Sequence, residues 1–263
     1  MKHIIISLLS FSMLIVSCSS KKPNGNENSS AANDTSVYFS NQMVKTSDDI
    51  NISTDFYSMK KSLDEVQPLI ILIHQFNSNK EQWGKELIES LLKSGMKVIT
   101  YDIRSHGKSA QAKVEFNKLL SDPEQTPKDL IAVMQWAKAG KGIDSARIGI
   151  AGTSIGGSLA LYGAIYLNAK AIVCISVGKP TFEGLTGLSD KLMSRPIKRI
   201  SNVLMICGIN DGTYNKESRE IFNNFVMEPR DFKEFESDKH GKDLIKDYPG
   251  INDLIINWFK TKL

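Results

Sequence analysis

No H-E-x-x-H, no paired Cys/His spacing of a zinc site, no P-loop and no G-x-G-x-x-G behind a strand-like run occurs in this sequence, so neither a metal nor an organic cofactor is expected. Cysteine is scarce, with 3 in 263 residues; Cys174 and Cys207 lie inside apolar strand-like runs and read as buried free thiols rather than a disulfide pair. Charge of one sign is also missing. The formal net charge is +4, and without Lys2 the count is 33 − 1 = 32 basic against 29 acidic residues, scattered among one another, which leaves no nucleic-acid footprint. No internal repeat is visible, and no apolar run reaches the roughly 20 residues that a membrane-spanning helix needs.

The features that are present begin with a short N-terminal signal. Lys2 gives a positive start, Ile4 to Val16 is an apolar run too short to span a bilayer, and small polar residues come next, as in an export signal over residues 1–17. Its ending, Ile15-Val16-Ser17-Cys18, resembles the bacterial lipobox, which implies lipidation of Cys18 and a protein anchored to a bacterial membrane outside the cytoplasm, the alternative being a plain secretory signal with an incidental cysteine. Residues 18–36 contain no large apolar side chain and read as a solvated tether. Residues 37–263 are long enough for one large domain with a substantial core.

Within that domain, Val37 to Lys45 and Ile50 to Ser58 alternate around Thr46-Ser-Asp-Asp49 as a hairpin would. Leu69 to Ile73 is apolar at every position, as expected of a strand covered on both faces. Lys80 to Lys93 has helical periodicity and Met96 to Asp102 is strand-like; Arg104 to Gln125 reads as irregular. Thr126-Pro127-Lys128-Asp129 predicts a helix start with threonine as its cap. Further strands are expected at Arg147 to Ala151, Ala171 to Val177, Val203 to Cys207 and Asp231 to Glu236, and helices at Ile155 to Leu167, Glu217 to Met227 and Ile251 to Phe259. Alternation of this kind builds a mostly parallel sheet with helices on both faces. Phe56, Tyr57, Trp136 and Trp258 read as core. Gly178 to Asn202 reads as a loop whose Phe182, Leu185, Leu188, Leu192 and Met193 either pack a connecting helix or line an acyl pocket; its shortness leaves no room for a large cap domain.

Gly152-Thr153-Ser154-Ile155-Gly156 stands at the break between a strand and a helix, and G-x-S-x-G there is a nucleophile elbow, the alternative being a plain structural turn. Ligands of an open parallel sheet lie beyond the carboxyl ends of its strands. Asp211 and His240 fall just behind two of the later strands, and the chain order Ser154, Asp211, His240 suits acyl transfer through a serine, a histidine base and an orienting acid. Asp238 is the competing acid. His74 and His106 fall too early for the base role and read as structural, and Asp102 as the anchor of the Arg104 to Ser109 loop.

His74-Gln-Phe-Asn-Ser-Asn-Lys-Glu-Gln-Trp83, Tyr101-Asp-Ile-Arg-Ser-His-Gly-Lys-Ser109 and the elbow together resemble the α/β-hydrolase family over residues 37–263, with Ser105 in place of a glycine and Gln75 where the family usually has glycine. The resemblance implies an α/β-hydrolase fold and an oxyanion hole made by the amides of Phe76 and Ile155. It also implies a serine hydrolase for a small to medium acyl substrate, most simply a carboxylesterase, with thioesterases and peptidases sharing the machinery. A non-catalytic surface lipoprotein that keeps the fold as a binding module is the rival expectation.

Overall fold

A computed structural model of the chain describes residues 36–189 and 200–263; the signal segment, Cys18, nearly all of the 18–36 tether, and Leu192 and Met193 lie outside the described residues. The sheet is built from β1 (Val37–Lys45), β2 (Asn51–Met59), β3 (Gln67–Ile73), β4 (Lys97–Tyr101), β5 (Ile143–Thr153), β6 (Ala171–Ile175), β7 (Val203–Gly208) and β8 (Arg230–Phe235). Their spatial order is β1-β2-β4-β3-β5-β6-β7-β8. The first two strands pair antiparallel, β2 meets β4 antiparallel, and every later pairing is parallel.

Strand β3 shows why the sheet is buried on both sides. Leu69, Ile71 and Ile73 pack into one apolar cluster and Ile70 and Leu72 into the other. Each fully buried side chain of this size contributes roughly 1.5–3 kcal/mol. The first cluster takes its helical side chains from α3 (Thr126–Ala139), α4 (Ile155–Tyr166), α5 (Lys179–Thr186) and α6 (Tyr214–Phe225). The second takes them from α1 (Gly84–Lys93), α7 (Lys242–Asp247) and α8 (Ile251–Lys262).

Several local expectations are corrected. The Lys80–Lys93 periodicity is a 3-10 turn, Lys80–Trp83, followed by α1, because Gly84 takes φ 67 and swings the axis. The Arg104 to Gln125 stretch contains a helix, α2 (Phe116–Ser121). Thr126 does not cap α3; its hydroxyl donates to the Leu119 carbonyl at 3.0 Å, tying α3 to α2. The segment after β6 holds α5, whose Phe182 and Leu185 are fully buried, Phe182 against Phe225, so they serve packing. Phe56, Tyr57, Trp136 and Trp258 are half-buried at the margins of the core. Cys174 and Cys207 are buried free thiols, and desolvation pushes the Cys207 thiol up to about 12.

Candidate active site

Strand β5 delivers Ser154 at its carboxyl end. The residue takes φ 52 and ψ −117, a backbone that side chains rarely adopt, and its N–H is held by the Ile175 carbonyl at 2.8 Å. Gly152 and Gly156 make the turn possible, since a Cβ on Gly152 would overlap the Gly156 backbone and one on Gly156 would overlap the Ile73 carbonyl. The sharp turn leaves the Ile155 amide at the first position of α4, where no hydrogen bond within the described residues uses it.

The second backbone amide, that of Phe76, is positioned by His74. This histidine is fully buried; its Nδ1 lies 2.7 Å from the Gln75 carbonyl and its Nε2 lies 2.9 Å from the Ile103 N–H. A carbonyl can only accept and an N–H can only donate, so the ring is neutral with its proton on Nδ1. Desolvation lowers its pKa to about 4, which keeps it in that form near neutral pH. Because C=O and N–H of a trans peptide point in opposite directions, holding the Gln75 carbonyl aims the Phe76 N–H the other way. Among the described residues that N–H has no hydrogen-bond partner. Gln75 does not break this arrangement: the positive φ of the segment falls on Asn77, at 55°, not on residue 75.

Asp211 and His240 meet behind β7 and β8. The imidazole Nδ1 donates to the two Asp211 carboxylate oxygens at 3.0 and 3.1 Å, and the carboxylate is 3% exposed. The Tyr214 ring lies against the imidazole, centroids 4.1 Å apart. Asp238, the competing acid, is exposed and pairs with Lys239 instead. His240 is hung over the elbow by its neighbour: the Gly241 N–H donates to Ser176 Oγ at 3.0 Å, and Ser176 follows the residue that binds the Ser154 amide. A Cβ on Gly241 would stand 3.4 Å from Thr153 Cβ. Among the described residues no hydrogen bond joins Ser154 Oγ to His240, and contacts of this kind commonly tighten only around substrate.

His106 stays apart. Its Nδ1 donates to the Arg104 carbonyl at 3.0 Å, and its ring packs on His74 and Phe76. Asp102 anchors this loop as expected, accepting from Lys80 N and Lys108 N, both at 2.8 Å. Phe116 of α2 is exposed and stands edge-on to Phe76, centroids 4.0 Å apart, giving the Phe76 side an apolar wall. Sequence reasoning missed Gln82, Ser176 and Tyr214, which touch these segments through side chains whose placement depends on the fold; Gln75 did stand out, as a departure from the hydrolase pattern.

The alpha/beta hydrolase fold family matches residues 68–191. An esterase of Pyrococcus furiosus is similar over 87% of this chain and 94% of its own, with TM-score 0.67 and 23% identity. An acetyl xylan esterase of Paenibacillus sp. R4 is similar over 86% of this chain and 84% of its own, with TM-score 0.70 and 15% identity. An uncharacterized 31.7 kDa protein of Escherichia coli, from the traX-finO intergenic region, is 36% identical over 90 residues, which is 34% of this chain; the match spans only 30% of that relative's length. The fold is therefore the α/β-hydrolase fold.

Proposed function

We propose that the protein is a serine hydrolase of carboxylic esters or closely related acyl compounds. Ser154 serves as nucleophile, His240 as base and Asp211 as the acid that orients it. The single observation that carries this reading is the desolvated Asp211 carboxylate bonded to His240 Nδ1 beside a serine held in a strained elbow. With its proton on Nδ1, the imidazole offers a bare Nε2. That nitrogen takes the Ser154 proton as Oγ attacks the acyl carbon, and Asp211 stabilises the imidazolium without being protonated itself. The tetrahedral oxygen is received by the Phe76 and Ile155 amides, each worth about 3 kcal/mol by analogy with single-donor losses. His240 returns the proton to the leaving alcohol, and water repeats the sequence to free the acid. The apolar wall of Phe76 and Phe116 suits an acyl chain. The esterase likeness of the two structural relatives supports the same class.

The test is labelling with a fluorophosphonate. Labelling that disappears in Ser154→Ala supports the enzyme; a folded, unreactive protein is the binding module instead. Anchoring through a lipidated Cys18, outside the cytoplasm, is part of the proposal and rests on the lipobox-like Ile15 to Cys18. Cys18→Ala should release the protein from membranes, and retained membrane binding would contradict it.

A further inference from the structure

Two glutamines join the three segments on which the proposed chemistry depends. The Gln82 carboxamide accepts the Gln75 backbone N–H on Oε1 at 3.0 Å and donates from Nε2 to Thr153 Oγ1 at 2.8 Å. The Gln75 side chain in turn accepts the Lys242 N–H on Oε1 at 2.7 Å. Backbone N–H groups can only donate, so each must face a carboxamide oxygen, and this leaves the Gln82 amino group for the threonine hydroxyl. Thr153 precedes Ser154, Phe76 follows Gln75, and Gly241 and Lys242 follow His240. Every bond in the path therefore ends within two residues of a group the reaction needs.

We propose that Gln75 and Gln82 are positioning residues that fix the Phe76 amide, the Ser154 hydroxyl and the His240 imidazole relative to one another. This rests on the serine-hydrolase reading above. The path is built rather than incidental at both ends. Gly241, at φ 54, is where a Cβ would overlap Gln75 Oε1, so the Lys242 contact exists only because residue 241 has no side chain. Gln82 sits in a 3-10 turn that is itself pinned: the Lys80 N–H donates to buried Asp102 at 2.8 Å, and Asn79 Oδ1 accepts the Glu81 N–H at 2.9 Å. A glycine at position 75 could supply no acceptor, so in this chain the oxyanion segment and the histidine segment gain a direct link.

Displacing a reacting group by about 1 Å can cost on the order of 100-fold in rate, whereas one neutral, half-buried hydrogen bond matters little to folding. The variants are Gln75→Met and Gln82→Met, which keep length and lose the carboxamide, and Thr153→Val, which removes only the acceptor of Gln82. They are made in the full chain and assayed with p-nitrophenyl butyrate and a fluorophosphonate. The expected result is a fall in kcat and in labelling rate of about 10- to 100-fold, with KM within about twofold and thermal melting nearly unchanged. The pair Gln82→Met with Thr153→Val should be no worse than Gln82→Met alone, since Gln82→Met already cuts the bond that Thr153→Val removes. Gln75→Glu keeps the acceptor and should recover most of the lost rate, while its charge beside the histidine segment moves the acidic limb of the pH–rate profile upward. Ser154-dependent labelling that proceeds at the unaltered rate in both Met variants overturns this proposal alone. Absence of any Ser154-dependent labelling in the unaltered protein overturns the hydrolase reading and this one with it. Should a Met variant lose its cooperative melting, the Thr153→Val cycle and Gln75→Glu decide.

Discussion

The same dipeptide, histidine followed by a glycine of positive φ, ends two of the loops at the carboxyl edge of the sheet, and the two loops are held in opposite ways. Gly107 at φ 51 and Gly241 at φ 54 each leave no room for a Cβ, the first against the Asp102 carboxylate and the second against Gln75. Around His106 the clamp is ionic and buried. Arg104 gives its N–H and Nε to Asp129 at 2.9 and 2.8 Å and its guanidinium to Asp48, and Lys80 pairs with Asp55 at 3.0 Å. Around His240 the supports are neutral hydrogen bonds to Ser176 and Gln75, with one carboxylate, Asp211, reserved for the ring itself. Buried charge is thus concentrated where a loop only has to stay put, while the loop proposed to move protons faces a single buried acid and keeps a partly exposed ring.

The sharpest way to break that comparison is at the proposed nucleophile. Ser154→Ala should lower hydrolysis by at least about 10⁴-fold, as expected when one member of such a unit is removed, while leaving the ionic clamp and the stability alone. Ser154→Gly should be equally inactive and also more stable by about 1 kcal/mol, because it relieves a non-glycine residue at φ 52. Urea unfolding of both variants beside the unaltered protein checks this; a Ser154→Gly variant no more stable than the parent would remove strain from the account of the elbow.

Next in size is Asp129→Ala. It strips the fully buried carboxyl from Arg104, itself 1% exposed, leaving the guanidinium only the partly exposed Asp48, and breaking a buried pair costs about 3–5 kcal/mol. The denaturation midpoint should fall accordingly, while the folded fraction keeps a labelling rate within a few fold of the parent. A large loss of rate without loss of stability would mean that the two loops are not separate in function.

The features that could be read from the chain fall along the same division. The elbow was legible because Gly152 answers a steric demand, from the Gly156 backbone, that acts within five residues. The Asp211 and His240 pairing was legible because a parallel sheet gathers the residues just behind its strands along one edge. Gln82 was not, since its two bonds require a 3-10 turn where the apolar spacing predicts a continuous helix. Thr126 misled for a related reason: the hydroxyl that local pattern assigns to its own helix is taken by Leu119 of a helix hidden in a polar stretch. Short elements and long-range side-chain bonds leave almost no periodic trace.

His74 stands between the two loops, bonded to Ile103 on one side and Gln75 on the other, and it supplies the third prediction. Desolvation depresses it from 6.5 to about 4, so between those values the unfolded chain binds the extra proton and the folded one does not. The His74 contribution to stability is complete above pH 6.5 and should fall by roughly 3 kcal/mol as pH drops towards 4. In His74→Gln the baseline is lower and the slope should differ from the parent's by that contribution. Unfolding free energies measured across the window would refute the burial-based account if the slopes were equal.

The smallest effect should come from Asp48→Asn, at the solvent rim of the ionic clamp. Asp48 takes the Arg104 guanidinium through two oxygens, at 2.8 and 3.1 Å, but keeps about a third of its side chain in water, at 30% exposed. Partial burial pushes its carboxyl up; the Arg104 and Thr46 hydrogen bonds outweigh that and bring it down to about 2. The pair's contribution is present above the ordinary value of 3.8 and lost as pH falls from there through about 2, a window that lies below that of His74. Because water screens the pair, Asp48→Asn should cost no more than about 1 kcal/mol at pH 7, and less at high salt. The difference between the variant and the parent should close only below pH 4, after the His74 slope is spent. If it closed between pH 6.5 and 4 instead, the clamp and the histidine would be titrating as one unit, and the separation of a charged structural loop from a neutral working loop would fail at its outermost residue.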